Sequence, residues 1–140
     1  MRLPWFSKLK YLVTRKSSLR ELTIRAEQGD ALAQNLLGDI YATDKPSEAI
    51  HWYRKAADQG DPSAQGRLGM MYAVGEAVPQ DDKQAYIWLY LATPNLAGEL
   101  QDMAAKLRDD IAAMLTPDQI ADAQRVTREW TPIKGSNEKF

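Results

Sequence analysis

The sequence predicts an all-α protein, a solenoid of antiparallel helix pairs with capping helices at its ends. Three observations carry this expectation. The first is self-similarity at fixed spacing: Gly29, Ala33, Gly38 and Tyr41 recur as Gly60, Ala64, Gly69 and Tyr72, each 31 residues on. Ala49, Trp52 and Ala56 recur 36 residues on as Ala85, Trp88 and Ala92, because the turn from Gly75 to Asp81 is five residues longer than its counterpart after Tyr41. A period of this size marks stacked units, none of which can bury its apolar face alone. The second is punctuation, Gly29-Asp30 and then Gly60-Asp61-Pro62. Glycine takes the left-handed position that ends a helix, aspartate caps the next, and proline at its first position loses no needed hydrogen bond. The third is that such short connections force adjacent antiparallel packing.

Taken in order, Pro4 to Val13 has Trp5, Leu9 and Leu12 at i, i+4 and i+7, with Phe6 and Val13 flanking and Lys8 and Lys10 elsewhere. That is an amphipathic helix pattern. It suits either a cap on the open end of the array or a membrane-surface or partner-binding helix. Residues 1–16 thus form a basic N-terminal segment. Ser17-Ser18 offers an N-cap for a helix from Leu19 to Gln28, a partial repeat.

Two full repeats follow, over residues 30–60 and 61–93. In their first helices Ala33, Leu37 and Tyr41, like Ala64, Leu68 and Tyr72, lie four apart on one stripe. Gly38 and Gly69 allow a neighbouring helix to come close. Glycine there otherwise costs about 1 kcal/mol. The tryptophans of the second helices are expected to fill the space left by the small residues, so that Trp52→Ala would cost roughly 3–5 kcal/mol. Beyond Pro94, Leu100, Met103, Ala104, Leu107, Ile111 and Leu115 keep helical spacing. Thr116-Pro117-Asp118-Gln119 then starts a last helix with Ile120, Ala123, Val126 and Trp130 on one face. These two helices, over residues 97–130, are expected to cap the array, and residues 131–140 to form a flexible tail.

The order Ala-x-x-x-Leu-Gly-x-x-Tyr, turn, Ala-x-x-Trp-Tyr-x-x-Ala-Ala-x-x-Gly, seen from Ala33 to Gly60, resembles the Sel-one-like repeat (SLR), a relative of the tetratricopeptide repeat. The second copy keeps Gly75, Val78 and Asp81 in its turn but departs from the pattern at Ala92-Thr93-Pro94, and the first has only Asp44-Lys45-Pro46 for a turn. The resemblance covers Leu19 to Trp130. It implies a right-handed α/α superhelix and a protein-interaction adaptor or scaffold. By analogy with related repeats, the first helices line the concave side. The residues between their core stripes, Asn35, Asp39, Ala42, Gly66, Met70 and Ala73, are then the candidate partner-binding set.

The net charge is −1, but the stretch to Arg25 carries +6 and the remainder −7. A basic arm on an acidic body suits an anionic neighbour, or serves only as a solvated face. The absence of cysteine excludes disulfides and thiolate metal sites. No apolar run approaches the roughly 18 residues of a membrane span. Near the start the longest uncharged apolar run, Tyr11-Leu12-Val13, is too short for a signal-peptide core, so a cytoplasmic location is expected.

No catalytic, metal or cofactor site is expected. His51, the single histidine, falls on the outward side of its helix with no serine or cysteine placed to use it as a base. Asp109 and Asp110 point apart. Asp118 and Asp122 share a face without a histidine to complete a metal site. Ser-x-x-Lys occurs at Ser7–Lys10 and Ser136–Lys139, but the Ser-Asp-Asn and Lys-Thr-Gly partners of that hydrolase motif are absent. Gly66, Gly69 and Gly75 are assigned to packing and turning, not to a phosphate loop.

The expected function is a non-catalytic protein–protein interaction module, a monomer or weak homodimer with a protein or peptide partner. The alternative is peripheral membrane or anionic-surface association through Trp5, Phe6, Lys8, Lys10, Arg15 and Lys16. Nucleic-acid binding is disfavoured by the acidic body.

Overall fold

The computed structural model describes residues 18–134. Among them every regular element is helical. The order is α1 (residues 18–27), α2 (Ala31–Tyr41), α3 (Pro46–Asp58), α4 (Pro62–Val74), α5 (Asp82–Ala92), a 3₁₀ turn (Thr93–Asn95), α6 (Gly98–Ala112) and α7 (Pro117–Glu129). Two hairpins, α2–α3 and α4–α5, stack as an α/α solenoid, and α6 and α7 both pack on α5. No described helix is long and apolar enough to cross a membrane.

Local chemistry sets the helix ends. Gly29 and Gly60 are left-handed, at φ 98° and 96°. The aspartate after each donates its backbone N–H back across the turn, Asp30 to Arg25 O and Asp61 to Ala56 O, both at 3.1 Å. This closes the last helical turn. The same aspartates then cap the next helix, each carboxylate accepting from the backbone N–H of Ala33 or Ala64. Asp81 does the same for α5 through Gln84 N, and Thr116 and Gln119 form a complete capping box at α7.

The glycines at the hairpin contacts do what their spacing predicts, but with different partners. A Cβ on Gly38 would lie 2.4 Å from the Tyr53 ring, and one on Gly69 would lie 2.8 Å from Leu89 Cγ and 3.2 Å from the Ala85 carbonyl. The residue one past each tryptophan therefore fills the gap, which corrects the expectation that the indoles do so. On α3, Tyr53 is four residues from Ala49 and continues the stripe that meets α2, whereas Trp52 is turned about 100° from it. Trp52 is only partly buried, against the small cluster of Ala26, Ala33 and Leu37, so its removal should cost less than the 3–5 kcal/mol expected of a core indole. Trp88 is 4% exposed and joins Ala49, Tyr53, Ala56, Leu68 and Met71 in the main core.

One tie between repeats escaped the sequence reading. Gln34 and Gln65 are 31 residues apart and both buried, and each donates from Nε2 to a carbonyl at the end of the preceding helix, Ala26 O at 3.0 Å and Ala57 O at 3.2 Å. Gln59 also donates to Gln34 Oε1 at 2.8 Å. Pairing of these amides removes the cost of burying them.

A second core joins Ala85, Ile87 and Leu89 of α5 to Ala104, Ile111 and Ala123. Helix α6 ends at Ala112, short of Leu115. After α7 the chain turns back: Ile133 N donates to Asp58 O at 2.7 Å, and Trp130 and Pro132 sit beside Gly60. Ile133 is thus bonded to the end of α3, and the rest of the tail, 135–140, lies outside the described residues. So do Trp5, Phe6, Lys8, Lys10, Arg15, Lys16 and both Ser-x-x-Lys matches.

Candidate interaction surface

Two adjoining cavities open on the side of the first helices. The larger, about 380 Å³, lies between α4 and α6; Leu89 and Leu96 line it together with Met70, Leu100, Met103 and Leu107. The smaller, about 280 Å³, lies between the ends of α2 and α4 and is lined by Ala42, Tyr53, Met71, Val74 and Glu76. Arg67 and Met70 belong to both. The pair of cavities reads as one groove with a shared central wall. Its apolar side chains are open: Met70, Leu100 and Met103 are 46%, 59% and 63% exposed. Exposed methionine and leucine at a concavity supply adaptable apolar contact.

The groove's depth depends partly on Gly66. A Cβ there would meet only Leu96 Cδ1 at 3.9 Å, an ordinary contact. Gly66 is therefore unlike Gly38 and Gly69, and close helix packing does not require it. What it contributes is open space beside Leu96.

The polar part of the groove is built around Asp39. Its carboxylate accepts the Tyr53 hydroxyl at 2.7 Å and lies 3.3 Å from Arg67 Nε. Tyr53 is 2% exposed, pinned over Gly38. Burial, followed by the neighbouring Asp39 carboxylate, pushes its hydroxyl above the ordinary tyrosine range, so it stays a proton donor. A fixed ring thus holds a carboxylate, and the carboxylate holds Arg67 at the wall between the cavities. At the α6 rim Lys106 pairs with Asp110 at 3.1 Å.

The six predicted binding residues separate in this frame. Met70 is the shared wall, Gly66 and Ala42 line one cavity each, and Asp39 orients Arg67. Asn35 is 6% exposed, with no hydrogen-bond partner for its buried Oδ1. Ala73 is partly buried against the α5–α6 core and lines neither cavity. The sequence reading missed Arg67, Tyr53, Leu100 and Met103. Leu100 and Met103 share the apolar stripe of Ala104 and Ile111, so periodicity cannot tell the open residues from the buried ones. Arg67 and Asp39 carry no pattern that pairs them.

His51 is exposed and meets the Trp52 ring edge-on at 5.4 Å between ring centroids. Asp122, expected to be merely solvated, takes ion pairs from Lys83 and Arg125, and these bonds hold its carboxyl below the usual range. Asp109 and Asp110 are likewise paired, with Arg108 and Lys106. Among the described residues no three His, Cys, Asp or Glu side chains are grouped to hold a metal.

Comparison with known proteins places this arrangement. The Sel1 repeat model matches residues 31–61 and 62–93, the two hairpins described above. Among solved structures, the chain is similar to c5321, a protective antigen present in uropathogenic Escherichia coli strains that displays an SLR fold. The two share 25% identity with a TM-score of 0.57 over 83% of this chain. The chain spans only 33% of that antigen's length. It is also similar to a Sel1 repeat protein from Oxalobacter formigenes, at 27% identity and a TM-score of 0.53, covering 77% of this chain and 98% of that one. No curated protein matches the sequence. Residues 31–93 are two Sel1 repeats, and the chain around them has the fold of the SLR solenoids.

Proposed function

We propose that this chain is a non-catalytic adaptor that holds a protein partner along the first-helix face, in the groove between α2, α4 and α6. Sel1 repeats generally mediate protein–protein interaction, and the fold is typically a non-catalytic scaffold. The observation that carries the proposal is the pair of adjoining cavities with Met70, Leu100 and Met103 exposed at their walls. A soluble surface rarely leaves long apolar side chains grouped in a concavity without a use for them. By analogy with related solenoids, the first-helix side is the one expected to face a partner.

The test is affinity capture from host lysate with the full chain and a Met70→Asp/Met103→Asp variant side by side. Both positions are exposed, so the variant should keep the helical spectrum and thermal midpoint of the parent. A protein retained by the parent and depleted at least about tenfold by the variant is the expected result, because a charge in an apolar contact costs the contact and leaves the charge desolvated. Equal retention by both proteins, or capture of lipid or nucleic acid alone, would remove the groove from consideration and turn attention to residues 1–16.

A further inference from the structure

The groove carries a chemical pattern as well as a shape. Its two cavities are apolar, they share one wall, and the polar group on that wall is Arg67. The guanidinium is half-exposed, and its ion-pair partner is Asp39, met through Nε at 3.3 Å. Among the described residues neither terminal nitrogen makes a hydrogen bond. Asp39 is in turn held by the buried Tyr53 hydroxyl, so Arg67 is steadied from behind and is not a free surface arginine. A guanidinium with two parallel N–H groups free and its stem fixed is shaped for a carboxylate.

The other charges of the groove fix how many carboxylates it takes. Lys106 on the α6 rim pairs with Asp110 but its side chain is 80% exposed, so its charge is solvated and not held in the groove wall as that of Arg67 is. Glu76 lines the smaller cavity and would repel a second acidic group there. One cationic point therefore stands between two apolar hollows, each bearing an acid of its own.

Resting on the adaptor reading above, we infer that the groove recognises an extended peptide segment with a single acidic residue flanked at two residues on either side by aliphatic side chains. In an extended chain residues i, i+2 and i+4 point to the same face. The central carboxylate lies on Arg67 while the two aliphatic groups enter the two cavities. The apolar anchors supply adhesion, and the carboxylate supplies register and selectivity.

The methionines give a direct readout, since Met70 and Met103 are open walls of the groove, Met71 lines its smaller cavity from a buried position, and Met114 is exposed elsewhere. With methyl-labelled methionine, the full chain is titrated with acetyl-Leu-Ser-Glu-Ser-Leu-amide and with its Glu→Gln counterpart. Met70 and Met103 should shift and Met114 should not. The Glu peptide should bind about fivefold more tightly than the Gln peptide, as expected of a partly exposed charge-assisted bond. In the Arg67→Gln variant the two peptides should bind alike. Equal binding of both peptides by the parent would overturn the acidic selectivity and leave the groove reading intact. A preference for Glu that survives Arg67→Gln would overturn the assignment to Arg67. If neither peptide moved Met70 or Met103, this inference and the groove reading would both fall.

Discussion

In the first repeat a tyrosine ring covers the helical glycine, and in the second a leucine does. The leading helices differ more. Leu32, Leu36 and Ile40 of α2 are 57%, 41% and 46% exposed, whereas the residues 31 positions later, Ser63, Arg67 and Met71, line the groove or enter the core. Met71 is 6% exposed because the α2–α3 hairpin lies against it, and no described element does the same for Ile40. The two hairpins share one backbone plan, yet position within the stack decides what each face meets. A repeat's pattern determines which side chains share a face, and its neighbours determine whether that face is closed.

The tryptophans give the largest test of this difference. Trp88→Ala should cost about 3–5 kcal/mol, because the indole is 4% exposed in the main core. Trp52→Ala should cost about 1–2 kcal/mol, since the side chain is already partly open. Denaturant titration of both variants checks the pair. Equal losses would mean that the two repeats bury their tryptophans alike and would erase the comparison.

The glycines are the next test. Gly38→Ala and Gly69→Ala should each destabilise by about 1–3 kcal/mol, because the new methyl collides with the buried Tyr53 ring or with Leu89 and the Ala85 carbonyl. Gly66→Ala meets only an ordinary contact. It should be neutral or stabilising by up to about 1 kcal/mol through helix propensity. Thermal midpoints of the three variants rank them directly, and a loss at Gly66 matching that at Gly69 would contradict the distinction between a packing glycine and a groove glycine.

The smallest expected effect lies at the first cap. Asp30 is held below the usual carboxylate range chiefly by the hydrogen bond from Arg25, which lies 2.6 Å away. Its folded value is depressed, so its contribution to stability is complete above the unfolded carboxylate value of about 3.9 and is lost as pH falls through the folded value. Stability should therefore decline below about pH 4, and Asp30→Asn should flatten part of that decline. Urea midpoints at pH 3 and pH 7 measure the change, and an unaltered slope in the variant would show that the Arg25 bond is weak in solution.

Much of the fold was legible because its signals are local. Gly29-Asp30, Gly60-Asp61-Pro62 and the Thr116–Gln119 box act within four or five residues, and each does in the structure what its chemistry predicts. The glycine–helix contacts were legible as well, though not their partners. Trp52 and Tyr53 are adjacent, and one turn of about 100° decides which of them meets α2. The candidate surface was only half legible. Met70, Gly66, Ala42 and Asp39 belong to the groove or its scaffold, while Asn35 is shut away and Ala73 lines neither cavity.

The amino-acid order by itself determined the repeat period, the ends of the helices and the stripe each helix presents, because these follow from backbone conformation and short-range hydrogen bonds. Only the tertiary structure decided that Leu100 and Met103 stay open while Ala104 and Ile111 close, and that Asp39 reaches both Tyr53 and Arg67. Those outcomes depend on what stands opposite each side chain across residues distant in sequence, and burial and ion pairing are properties of that encounter, not of the chain segment alone.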